Sequence, residues 1–137
     1  MDASFIPKSN VKLSRGDYAF LERPDGRQAI LVYLAPVGTM RSAIWGALLT
    51  AVTEQRSLPP GAGRLPIAMM ALMHIQVFAK NAAPIVGNLD ARLDQADVER
   101  RLQATTQVNR VCGWQAVARI AGELPLDVRL EGERGGA

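Results

Sequence analysis

Two runs decide the architecture of this chain. Ser42-Ala43-Ile44-Trp45-Gly46-Ala47-Leu48-Leu49-Thr50-Ala51-Val52-Thr53 holds no charged residue, and neither does the run from Leu65 to Ala79 that Lys80 closes. Leu58-Pro59-Pro60-Gly61-Ala62-Gly63 lies between them. Their apolar continuity predicts a helix, a tight break and a second helix, an αα-hairpin that the rest of the chain must cover. Thr39 or Ser42 stands where a cap is needed. Pro66 falls in the first turn of the second helix, where proline is tolerated. That second run carries Met69, Met70, Leu72, Met73, Ile75, Val77 and Phe78, apolar nearly all round, so it is expected to be the most buried element. Runs of 12 and 15 residues are shorter than the ~20 that a spanning helix needs. No membrane span is expected.

Upstream, residues 1–10 read as an irregular lead-in without the basic and apolar regions of a signal peptide. From Val11 the pattern turns extended. Pro24-Asp25-Gly26-Arg27 has the chemistry of a turn, since proline presets its first corner and glycine accepts the backbone that follows. Gln28-Ala29-Ile30-Leu31-Val32-Tyr33-Leu34 is rich in β-branched and aromatic residues, and it pairs with the preceding strand as a β-hairpin. This strand is apolar on both faces, so it must be covered on both sides.

Downstream, 88–93 reads as a short helical turn. Asp94 is a good N-cap, and the spacing of Val98, Leu102, Thr105 and Val108 predicts an amphipathic helix from Gln95 to about Val111. Gly113 interrupts it. A last helix over 114–121 turns Trp114, Val117, Ile120 and Ala121 inward. Leu126-Asp127-Val128-Arg129-Leu130-Glu131 alternates strictly, as a half-buried strand does. The expected fold is therefore α+β and mostly helical: an N-terminal β-hairpin, with a C-terminal strand, packed on four to five short α-helices. The 137 residues suit one domain, taken as 1–131, with a disordered tail over 132–137.

The net charge of +3 and pI near 9.5 are modest. The first 64 residues hold eight Lys/Arg against five Asp/Glu, and the rest hold eight of each. No basic run exceeds Arg100-Arg101, whereas a non-specific nucleic-acid binder shows a denser stripe. Arg100, Arg101, Arg110 and Arg119 are the residues a nucleic-acid-binding regulator would use on phosphates. Two helices about Gly113 outline a helix-turn-helix over 108–124, but the second offers only Gln115 and Arg119 to base edges.

Catalytic candidates are few. His74 is the only histidine and has no acid or nucleophile near it in sequence, so it reads as a hydrogen-bonded core or interface residue. Cys112, the only cysteine, rules out an intramolecular disulfide, suits a reducing compartment and reads as a buried thiol. Asp90, Asp94 and Asp97 are spaced by four and three, which suits a helix start and not a calcium loop. Gly61-Ala62-Gly63-Arg64 lacks the ending of a phosphate loop and reads as a turn. No nucleophile, base and oxyanion site come together, so no enzyme, cofactor or metal is expected.

An acidic-glycine turn, Pro24-Asp25-Gly26, precedes a strand ending Leu34-Ala35-Pro36-Val37-Gly38-Thr39-Met40, with short helices expected next. Over about residues 11–55 this resembles the small tail-assembly chaperones of long-tailed bacteriophages. The chain departs from that pattern in having more apolar, less acidic helices and a terminal strand. The resemblance implies a non-enzymatic protein that holds aggregation-prone partners during assembly. The apolar excess points the same way, toward a cytoplasmic interaction or assembly module, self-associating or part of a larger complex. Leu31, Tyr33, Met69, Met73 and Phe78 are its expected partner-facing residues, the methionines offering an adaptable apolar surface.

Overall fold

The computed structural model describes residues 5–104 and 112–125. Its first two strands, β1 (Asp17–Glu22) and β2 (Gln28–Val37), pair antiparallel across the expected turn. The Gly26 N–H donates to the Arg23 carbonyl at 2.9 Å, with Pro24 and Asp25 at the corners. The Asp25 carboxylate accepts from the Arg27 N–H (2.9 Å) and from the Arg23 guanidinium (3.3 and 3.0 Å). Arg23 is itself buried, and it also donates to the carbonyls of Ala121 and Leu124 at the far end of the chain.

The Arg27 N–H is the largest cause of an Asp25 pKa below the usual carboxylate range. Residual desolvation opposes it, while the Arg23 hydrogen bond and both arginines' charges add to the lowering. A depressed carboxylate pKa stabilises the fold above the unfolded value, about 3.9, and that stabilisation is lost as pH falls through the folded value. Asp25→Asn is therefore expected to melt below the parent at pH 7, with the gap closing in acid below about pH 4. A gap unchanged at pH 3 would contradict this role.

The two apolar runs are where the architecture departs from expectation. Residues 42–53 belong to a strand, β3 (Met40–Thr53), and the second run supplies another strand, β4 (Ile67–His74), before a single short helix, α1 (Gln76–Lys80). The described residues form one five-stranded antiparallel sheet, in the order β4-β3-β2-β1-β5, with β5 being Gly87–Asn88. Two further helices, α2 (Gln95–Gln103) and α3 (Trp114–Gly122), and a 3₁₀ turn (Asp90–Arg92) complete it. Among the described residues strand makes up 38% and helix 23%, so the mostly helical fold with four to five helices is corrected to a sheet protein with three described helices.

The physical reason is burial on both faces. A strand covered on both sides reads as an unbroken apolar run, just as a buried helix does, and periodicity cannot separate them. On one face, Leu21, Leu31, Tyr33, Ile44, Leu48 and Met73 pack with Val77, Phe78, Val117 and Ala121 of α1 and α3. On the other, Phe20, Ile30, Val32, Leu34, Ala47 and Leu49 pack with Leu65, Leu89, Leu93 and α2's Val98. The expected two-sided cover of β2 is present: residues 29–34 are all 3% exposed or less.

Gly46 shows how closely the strands are fitted. It pairs with Tyr33 and Ala71, and a Cβ there would meet the Met73 sulfur at 2.7 Å. The missing side chain makes room for the methionine. Gly38 and Thr39, the latter read above as a candidate helix cap, form the two-residue turn of a second hairpin in which Val37 faces Met40.

The helices read downstream are present. The Asp94 side chain caps α2 by accepting from the Asp97 N–H, and α3 buries Val117 and Ala121 with Trp114 and Ile120 partly covered. The continuation of α2 toward Val111, the strand over 126–131 and the tail over 132–137 lie outside the described residues.

Candidate interaction cleft of the amino-terminal segment

The lead-in segment is pinned to the sheet at several points. Phe5 exchanges two backbone hydrogen bonds with Ile85, at 3.1 and 2.7 Å. Asn10 is 8% exposed, and its side-chain amide donates to the carbonyls of Met40 (2.6 Å) and Ala43 (2.7 Å), while its N–H donates to Arg41 (2.9 Å). Pro7 and Leu13 turn inward and are buried. An asparagine is suited to this because one NH₂ group carries two donors, here spent on carbonyls at the start of β3.

What lies between these anchors faces out. Val11 is 61% exposed, Met40 48%, Ile6 44% and Phe5 38%. Large apolar side chains exposed together mark contact surfaces more often than chance. Phe5, Ile6 and Val11 line a cleft of about 400 Å³ with Lys8, Lys12 and Arg41. Val11 also lines a second cleft, of about 440 Å³, that runs to Arg15 and Pro36.

Among the described residues no carboxylate lines the first cleft. Among the described residues Lys8, Lys12 and Arg41 have neither an ion pair nor a hydrogen bond to their side chains. The other described arginines are engaged, apart from Arg56. Arg15 holds Glu99 (2.8 Å), Arg27 reaches Glu54 (4.0 Å), Arg64 donates to the Leu93 carbonyl (2.6 Å), and Arg92 donates to Gly63 (2.9 Å) and Pro59 (2.6 Å). Three of the five described cations without a partner thus gather where apolar side chains are exposed, while Arg56 and Lys80 lie elsewhere.

The residues expected from sequence to face a partner are elsewhere. Leu31, Tyr33, Met73 and Phe78 are buried core residues, and Met69 is half-buried against the same cluster. Burial lifts the Tyr33 hydroxyl pKa, with the Asp17 charge adding to it. Leu31, Met73 and Phe78 satisfy the sheet's own packing and present no open surface on this chain.

The described arginines among those expected to bind nucleic acid do not share a face. Arg100 and Arg101 on α2 both pair with Asp97. Arg119 on α3, across the sheet, lies 3.9 Å from Glu123. Arg110 lies outside the described residues, as does part of the 108–124 helix pair.

Structural roles account for the remaining candidates. His74 accepts the Gln76 N–H on Nδ1 at 3.0 Å. Cys112 is half-buried, and its N–H donates to the Leu72 carbonyl at 2.6 Å. Asp90 accepts from Gln95, Asp94 caps α2, and Asp97 holds the two arginines. Among the described residues no group of three or more His, Cys, Asp or Glu could hold a metal. No described helix is long and apolar enough to cross a membrane.

The cleft was missed in the sequence because its segment has no periodicity. One signal was present: residues 3–16 carry Lys8, Lys12 and Arg15 with no acid, interleaved with Phe5, Ile6 and Val11. Comparison with protein-family models, curated proteins and solved structures finds no match to this chain.

Proposed function

We propose that this protein is a non-catalytic protein–protein interaction module whose contact surface is the amino-terminal cleft. The carrying observation is the pinned segment that presents Phe5, Ile6 and Val11 beside the unpaired Lys8, Lys12 and Arg41. Apolar anchors with a charged rim are the ordinary anatomy of a protein contact. An assembly-factor role, of the kind the phage resemblance implies, is one form of this reading. It is set in the cytoplasm, where the single Cys112 would stay reduced.

The partner in this reading is a different chain. A two-fold contact between copies through the cleft would set Lys8, Lys12 and Arg41 against their own counterparts, and like charges in an interface are costly. Nucleic acid is less well supported, because the guanidiniums of α2 and α3 already face Asp97 and Glu123.

Affinity capture from cells that express the protein tests the reading. Ile6→Ser/Val11→Ser should reduce recovery of a specific partner about tenfold, as expected when two anchors are removed. Arg56→Ser, an unpaired cation elsewhere, should leave recovery unchanged. Equal recovery by all three chains would contradict the cleft as contact surface.

A further inference from the structure

We infer that the occupant of the cleft is an acidic peptide segment of a partner protein, carrying a bulky apolar side chain among its carboxylates. The inference rests on the interaction-module reading and specifies its partner. Charge complementarity carries it. Three cations without partners line one cleft, and among the described residues no carboxylate lines it. An occupant bearing carboxylates would complete these charges, and electrostatic complementarity sets partner choice and encounter rate. Arginine forks a carboxylate, while a lysine meets it as a mobile point charge.

The apolar half of the occupant follows from Ile6 and Val11, which an all-charged ligand would leave in water. A branched or aromatic side chain set between them removes that surface. The same pairing argues against nucleic acid. Single strands are held by several aromatic platforms along a basic groove, and among the described residues Phe5 is the only aromatic lining this one. It also argues against a lipid surface, which binds convex amphipathic helices and not a concavity.

The full chain should be used to select from a displayed library of random twelve-residue peptides. Peptides enriched in Asp and Glu, with a bulky apolar residue among them, are expected. Their affinity, read by fluorescence anisotropy, should fall about tenfold when the salt is raised from low to physiological strength, because exposed charges are screened. Lys8→Glu/Lys12→Glu/Arg41→Glu should abolish their binding, and Arg56→Glu should not. All four positions are exposed, and an unchanged melting temperature confirms that the variants fold.

Selected peptides that lack acidic residues but still depend on Ile6 and Val11 would overturn the acidic partner and leave the cleft reading intact. Peptides that bind both the triple variant and Ile6→Ser/Val11→Ser as well as the parent would overturn both. So would a failure to enrich any peptide when a single-stranded oligonucleotide or anionic vesicles bind in a Lys8-, Lys12- and Arg41-dependent way. Failure to enrich any peptide without such binding overturns the acidic peptide as occupant.

Discussion

Gly16→Ala is expected to destabilise the chain by about 2–5 kcal/mol, taking overpacking and positive-φ strain together. Gly16 sits at φ +95°, and a Cβ built there would lie 2.5 Å from the Asp90 nitrogen and 2.6 Å from its Cα. Both are backbone atoms, so no rotamer change relieves the collision. The backbone cannot step aside either. The Gly16 N–H donates to Tyr33 (2.9 Å), and its carbonyl accepts from Leu89 (2.8 Å). Gly61→Ala is the control: its φ is +91°, with nothing within 4 Å of the added carbon. It should cost about 1 kcal/mol, the conformational part alone. Urea denaturation followed by tryptophan fluorescence measures both, and equal losses would mean that Gly16 is not pressed against the turn at Asp90.

Asn10→Ala has the next largest expected effect, and it links stability to the cleft. The side chain's two hydrogen bonds would go, leaving the Ala43 carbonyl unsatisfied where it is buried. A buried carbonyl without a partner costs about 1–3 kcal/mol. The chain should still fold, since domains of this size have about 5–15 kcal/mol in hand. The segment over 5–12 would lose its attachment to β3, and peptide affinity should fall with it. Asn10→Asp should be at least as damaging, because a carboxylate would face two carbonyl oxygens and has no proton to donate. If Asn10→Ala keeps full peptide affinity at a temperature where it is folded, the pinned segment does not form the contact surface.

Local chemistry made part of this fold legible. The turn at residues 24–27, the two-sided burial of β2, the Asp94 cap and the inward face of α3 each depend on residues close in sequence. The strands β3 and β4 were not legible in the same way. Their apolar residues continue without alternation because both faces are covered, and such a run fits either element. Ile44, Val52 and Thr53 favour a strand, and Gly46 disfavours a helix by about 1 kcal/mol. Those hints are outweighed when an uncharged run of this length is judged by hydropathy alone.

The cleft was hidden for another reason. Asn10 reaches Met40 and Ala43, 30 and 33 residues away. No local pattern announces a side chain that satisfies carbonyls on a distant strand. The same long-range logic removed the earlier partner-facing set. Leu31, Met73 and Phe78 are apolar because the sheet is packed on both faces, so the apolar excess is absorbed inside the molecule. The surface left over is small and lies where cations and apolar groups meet.

The most direct measurement is a nitrogen–proton correlation spectrum of the full chain, titrated with a selected acidic peptide. Backbone signals of residues 5–12 and 40–43 should shift together and saturate with one affinity. Shifts centred on α2 or α3, with residues 5–12 unmoved, would contradict the account.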